Sequence, residues 1–206
     1  MDTIVKELKN EKIAFKPGTM VYPVPAVMVT CGSSEEEHNI ITIAWTGIVN
    51  SEPPMTYISV RKQRYSHSII EKNKEFVINL STDELAFATD YCGVKSGSKI
   101  NKFKEMKLTK IPATKINTVM IAEAPVNVEC KVIDIIVLPS HDMFLAEIIA
   151  VNVNKSLLNS KGKLELEKLN LLAYSHGEYV KTGKSLGRFG FSVMKSKTKK
   201  RLAKNK

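Results

Sequence analysis

The sequence predicts a mainly β protein, a β-barrel with a few short helices. Three observations carry this. Apolar runs are short, closely spaced and rich in β-branched residues. Gly, Pro, Asn and Ser punctuate them as turn formers. Helical stretches are few and brief. The 206 residues suit one domain, and 43% hydrophobic with 25% charged residues is an ordinary globular balance.

The elements read in order as follows. Pro25–Cys31 is an apolar strand ending at the Gly32-Ser33-Ser34 turn, with Glu35-Glu36-Glu37-His38 as an exposed tip. Ile40–Val49 is largely apolar and rich in β-branched residues, and reads as a strand buried on both faces. Pro53-Pro54 breaks it, and Met55–Arg61 resumes as a strand. Tyr65–Lys72 reads as a short helix with Ser66 as N-cap, and Glu75–Leu80 as a strand. Thr82-Asp83-Glu84 opens a helix through Asp90, Cys92–Ser98 reads as a glycine- and serine-rich turn, and Lys99–Met106 as another short helix. Val126–Leu138 and Met143–Val153 flank the polar turn Pro139–Asp142 as a long hairpin. Leu164–Tyr174 fits either helix or strand, and Gly183–Ser192 reads as a surface arm.

Charge and cysteine content narrow the function classes. The net charge is +10, but Lys195–Lys206 carries seven basic residues and no acid, which leaves +3 for the body. The expected organisation is one domain over 1–195 and a basic, disordered tail over 196–206. That tail lacks aromatic residues for base stacking, which argues against specific nucleic-acid binding; a basic nucleic-acid-binding β-barrel is the reading of last resort. No apolar run approaches the roughly 18 residues of a membrane helix. Met1–Asn10 is charged and unlike a secretory signal, and Cys31, Cys92 and Cys130 form no CxxC pair. A cytoplasmic location without membrane attachment is therefore expected. The four histidines lack metal-ligand spacing, so no metal site is expected.

No nucleophile elbow, Walker loop, HExxH or GxGxxG stands in the chain. Three segments nevertheless have a chemical reading. Arg61–Ser68 joins a strand end rich in basic residues to a helix start, which suits a phosphate; on its own it is equally an ordinary capped helix. Asn39–Gly47, with Thr42, Trp45 and Thr46, can line a flat aromatic ligand or simply fill a core. Cys92–Lys99, followed by Lys102-Phe103, offers close backbone approach, hydroxyls and ammonium groups, or is a solvated loop.

Their order is more specific than any one of them. NIITIAWTG, then PPMTYISVRKQRYSHSII, EFVINL, CGVKSGSKINKF, APVNVEC and HDMFLAE resemble the flavin reductase-like (flavoredoxin-type) FMN-binding split-barrel family, from about Pro23 to Lys195. GKSLGRFGFSVMK is also similar to that family's C-terminal stretch. The resemblance implies a Greek-key split barrel binding FMN non-covalently at a homodimer interface. Carried over by residue, Arg61, Arg64 and Ser66 hold the phosphate. Asn39, Thr42, Ala44, Trp45 and Thr46 line the ring and ribityl chain, beside Ser59, Val60 and Tyr65. Cys92, Gly93, Ser96 and Lys102 close the pocket, and His141 is the candidate catalytic residue at the ring. The implied activity is reduction of flavin or of a ferric complex with NADH or NADPH as electron donor, by hydride transfer to flavin N5. The alternative is an electron-transfer protein with tightly bound FMN and a redox protein partner. In either case the cofactor carries the chemistry, so the missing acid–base dyad excludes neither.

Overall fold

The computed structural model describes residues 12–195. The expected basic tail, 196–206, lies outside them.

Seven antiparallel strands form the main sheet. They are β2 (Val27–Cys31), β3 (Asn39–Ile43), β4 (Thr46–Ser51), β5 (Pro54–Val60), β6 (Glu75–Leu80), β9 (Val126–Val137) and β10 (Asp142–Val153). Their order across the sheet is β3-β2-β6-β9-β10-β5-β4. The two edge strands, β3 and β4, are consecutive in the chain and joined only by Ala44-Trp45. A link of two residues spans about 7 Å, so the sheet must curl until its edges nearly meet. The result is a barrel with an open seam along β3 and β5, the split barrel that the sequence predicts.

Period-two alternation fills it. Val27, Val29 and Cys31 face the interior with Ile41, Ile43, Ile58, Val60, Phe76, Ile78, Cys130, Phe144 and Ala146. One barrel end is plugged by α1 (Tyr65–Asn73), whose Ile69 and Ile70 join this core. On the outer face of β2 and β3, Met28 and Ile40 pack under α2 (Ala86–Val94), α3 (Lys102–Glu105) and β8 (Val119–Ile121), with Cys92, Phe103 and Ile121 between. β8 forms a small ribbon with β7 (Lys110–Pro112). A separate sheet of β1 (Val24–Pro25), β11 (Leu172–Ser175) and β12 (Glu178–Lys181) lies beside the seam and contributes Tyr174 to it. Among the described residues no helix is long and apolar enough to cross a membrane.

The structure corrects several local expectations. The run Ile40–Val49 is two strands, because the barrel turns from one sheet edge to the other at Ala44-Trp45. Its second half is not buried: β4 is an edge strand, and Ile48 is 74% exposed. Cys92 and Gly93 lie in the last turns of α2 rather than in a loop, since the helix runs on to Val94. Ser66 is not the N-cap of α1; Arg64 holds that position without a side-chain cap bond. Ser66 is turned inward instead and accepts a hydrogen bond from Asn39 Nδ2 at 2.7 Å. The ambiguous Leu164–Tyr174 resolves into a short 3₁₀ turn, Leu166–Lys168, and then β11. The hairpin of β9 and β10 forms with its turn at Leu138–His141, closed by the Leu138 amide donating to the His141 carbonyl.

Candidate functional site

Two cavities adjoin at the seam. The first, about 430 Å³, is lined by Asn39, Ile41, Arg61, Gln63, Arg64, Tyr65, Ser66, Cys92, Lys95, Ser96, Gly97 and Lys102. It lies at the start of α1, where no acidic side chain occupies the first turn and no side chain caps the amides. Uncapped amides at the positive end of the helix dipole, surrounded by Arg61, Arg64, Lys95 and Lys102, make a site for an anion.

The second cavity, about 700 Å³, runs along the seam. Ile41–Trp45 form one wall, and Ser59, Val60, Arg61 and Arg64 another; Leu138, Ser140 and His141 come from the hairpin turn, with Thr19 and Tyr174 alongside. Ile41, Arg61 and Arg64 line both cavities, so the two form one groove with a basic end and a body of mixed polarity, in which Ile43, Ala44, Trp45, Val60 and Leu138 stand among hydroxyl groups and His141. A third, more apolar hollow of about 410 Å³ continues past Ala44, Trp45 and Ser59 to Gly18–Tyr22 and Tyr57.

Buried polar contacts hold the walls. The Lys102 ammonium donates to the carbonyls of Ile40 and Cys92, each at 2.6 Å, tying α3 to β3 and to the end of α2. Burial pulls its pKa down to about 8, offset in part by Cys92, with the nearby Arg64 charge lowering it further. Burial pushes the Cys92 thiol up to about 11, the Lys102 charge opposing, so Cys92 is a packing group rather than a thiolate nucleophile at neutral pH. The Thr42 hydroxyl is committed to the Thr89 carbonyl, and that of Thr46 to the Tyr57 carbonyl at 2.6 Å. His141 is half-buried, with Nδ1 2.8 Å from Ser140 Oγ. Burial and then the Arg61 charge hold its pKa below the usual imidazole value, which favours the neutral ring at pH 7.

Of the residues singled out from sequence, all but Gly93 and Thr46 line the groove. A Cβ at Gly93 would stand 3.2 Å from Thr42 Cβ, so Gly93 serves the close packing of α2 on β3. Thr46 is spent on fixing β4 to β5. Several lining residues had no decisive signal in the sequence. Tyr174 sits in the segment of ambiguous period, and Thr19 precedes any regular element. Lys95 and Gly97 lay within the motif Cys92–Lys99 but were not distinguished from their neighbours.

The groove belongs to a known design. Residues 19–183 match the model of the flavin reductase like domain. The chain is a member of this family. An uncharacterised protein of Pyrococcus abyssi is 30% identical over 162 residues, which is 78% of this chain and 91% of that protein. Among solved structures, flavoredoxin of Desulfovibrio vulgaris (Miyazaki F) superimposes with a TM-score of 0.82 at 28% identity, covering 89% of this chain and all of the other. Flavoredoxin from Methanosarcina acetivorans gives 0.79 at 28% identity, over 89% of this chain and 100% of that one.

Proposed function

We propose that this protein binds FMN non-covalently and acts as an NADH- or NADPH-dependent flavin oxidoreductase. One observation carries the reading: the two cavities share Ile41, Arg61 and Arg64, so that a basic anion site and a slot walled in part by Ile43, Ala44, Trp45 and Val60 lie end to end in one groove. A flat ring with a single phosphate on a short polar tail has this polarity. No second phosphate-binding fingerprint is present for a dinucleotide, which favours FMN over FAD.

Arg61, Arg64 and the amides at the start of α1 would hold the phosphate, with Ser66, Ser96 and Lys102 beside it. Ile43, Ala44, Trp45 and Val60 would wall the ring. When bound, FMN supplies hydride acceptance at N5 and spreads the gained charge over N1 and C2=O. The protein's task is to position and to exclude water. His141, which lines the second cavity, would face an approaching nicotinamide; with Nδ1 engaged by Ser140, its Nε2 would be left to meet a ligand.

A homodimer fits this reading. Leu186, Phe189 and Phe191 are exposed on the arm, and Ile48 and Val49 on the edge strand. Burying such side chains against a second copy would cover the seam and remove a solubility liability. A second reading, an electron carrier with tightly held FMN serving a redox protein partner, is favoured by the likeness to two flavoredoxins. We place either protein in the cytoplasm.

The test begins with the purified protein. Released cofactor is identified by mass, with FMN near one per chain expected; FAD or no flavin would overturn the proposal. Anaerobic addition of NADH or NADPH then separates the two readings. Rapid bleaching of the flavin band supports the oxidoreductase, and a band that persists supports the carrier.

A further inference from the structure

Behind the two cavities lies a buried hydrogen-bonded pair that lines neither. His67 Nε2 and Asp142 Oδ2 are 2.8 Å apart, and both residues are almost fully buried. Lys62 Nζ stands 3.4 Å from the other carboxylate oxygen, an ion contact without hydrogen-bond geometry. The His67 ring meets Phe144 edge-on, with centroids 5.2 Å apart. Burying a carboxylate costs stability unless it is paired. Burial alone would raise the Asp142 carboxyl, but the hydrogen bond with His67 and the Lys62 charge outweigh it and hold the pKa below the usual carboxylate value.

The place of the pair in the chain is what matters. Asp142 lies opposite Val60 in the β5–β10 pairing and shares the inward face of β10 with Phe144 and Ala146. Its predecessor His141 points the other way and lines the ring cavity. At the other partner, His67 follows Ser66, which lines the phosphate cavity and is held by Asn39. The contacts thus run Asn39, Ser66, His67, Asp142, His141, from one cavity to the other through the barrel end.

We infer that His67 and Asp142 are positioning residues: their hydrogen bond fixes the hairpin turn that presents His141, and anchors it to the helix whose start meets the phosphate. The inference rests on the flavin reading above. Without the pair, the turn is held by the Leu138–His141 backbone bond, the strand ladder and the contact of the His141 ring with Ser140, itself a turn residue, and the ring is free to move with the turn. The pair does not touch the ligand; it acts through His141 on one side and Ser66 on the other.

The test is a double-mutant cycle in the full-length protein. His67→Phe keeps the contact with Phe144 and removes the imidazole; His67→Gln keeps an amide donor; Asp142→Asn keeps the shape of the acceptor. Each is combined with His141→Ala, and FMN affinity and the visible band of bound flavin are read alongside melting temperature. His67→Phe is expected to weaken FMN by about tenfold and to shift the band, with substantial recovery in His67→Gln. The effect of His141→Ala should shrink in the His67→Phe background, the double variant departing about threefold or more from the product of the single effects. Multiplicative effects with an unshifted band would show a merely structural pair and overturn the inference while leaving the flavin reading intact. If His67→Phe does not fold, Asp142→Asn decides by the same comparison. Wild-type protein that takes up no FMN overturns the flavin reading and this inference with it.

Discussion

Replacing Gly97 with alanine tests the wall of the basic cavity directly. A Cβ there would stand 2.0 Å from Asn39 Oδ1, 2.5 Å from its Cγ and 2.8 Å from its Nδ2. Ordinary contact needs about 3.5 Å, so the whole amide must retreat by an ångström or more. Asn39 is buried and its backbone is paired opposite Cys31, so the side chain has to rotate rather than the strand shift. Rotation breaks the 2.7 Å bond to Ser66. Two penalties combine: overpacking, about 1–3 kcal/mol, and unsatisfied buried polar groups, about 1–3 kcal/mol. A net loss of about 2–6 kcal/mol lowers Tm by about 4–24 °C in a domain of this size. The freed Ser66 sits at the start of α1, so FMN affinity should fall by about tenfold as well. Scanning fluorimetry without flavin and a flavin-fluorescence titration measure the two effects. Gly183→Ala, with no atom within 4 Å of its added Cβ, is the control and should change neither. A Gly97→Ala protein with the wild-type Tm and FMN affinity would refute the claim that the Asn39–Ser66 contact shapes this wall.

Arg64→Ala should weaken FMN by about 10- to 150-fold, the value of one charge-assisted phosphate contact at about 1.5–3 kcal/mol. Lys161→Ala, on an exposed turn away from the groove, should leave titration curves unchanged, and equal losses would show that the groove is misassigned. The lowered Lys102 pKa, about 8 without ligand, gives a signed pH dependence. Below pH 8 the ammonium is present in free and bound protein alike, and FMN affinity is flat. Above it the free protein loses the proton while a bound phosphate holds it, so affinity falls with rising pH. Riboflavin, which lacks the phosphate, should not show this fall, and identical profiles for the two ligands would refute the role. Finally, light scattering should find a homodimer, and Leu186→Ser with Phe189→Ser should shift it toward monomer with loss of flavin; an unchanged mass would place those side chains outside the interface.

The barrel was legible in the sequence because β-branched runs separated by Gly, Pro and Asn have few other uses. The phosphate end was legible too, since Arg61, Arg64 and a helix start are local in the chain. Three-dimensional commitments were not legible. Ile40–Val49 is largely apolar, and apolar character does not reveal that the sheet closes on itself at Ala44-Trp45. Ser66 looked like a cap because serine before a helix usually is one; its inward turn depends on Asn39, 27 residues away. Thr42 and Thr46 looked like ligand donors, but whether a hydroxyl is free depends on the nearest carbonyl. Tyr174 comes from a strand that reaches the seam only because β11 pairs with β1.

These commitments bear on what the groove can do. Thr42, Thr46 and Lys102 already donate to backbone carbonyls, and Asn39 to Ser66. Cys92 is held protonated by burial. What remains for a ligand is Arg61 and Arg64 at the cavity junction, the amides of α1, Lys95, Ser96 and the third N–H of Lys102, and farther along Ser59, Tyr174 and the neutral His141. That inventory contains strong anion binders at one end and, among the described residues, no carboxylate lining the groove. A site that must move protons at pH 7 needs a group that gains and loses them there. His141 is the one groove residue with an ordinary value in that range, and it is pushed toward its neutral form. In the proposed function this suits a hydride transfer: the transferred atom arrives with its electrons, and the wall needs to fix distance and exclude water rather than supply a base. Making His141 a stronger base by removing the Arg61 charge should therefore not raise the rate of flavin reduction. An Arg61→Gln variant whose reduction by NADH or NADPH became faster and pH-dependent, at saturating FMN, would show instead that proton transfer at His141 limits the reaction.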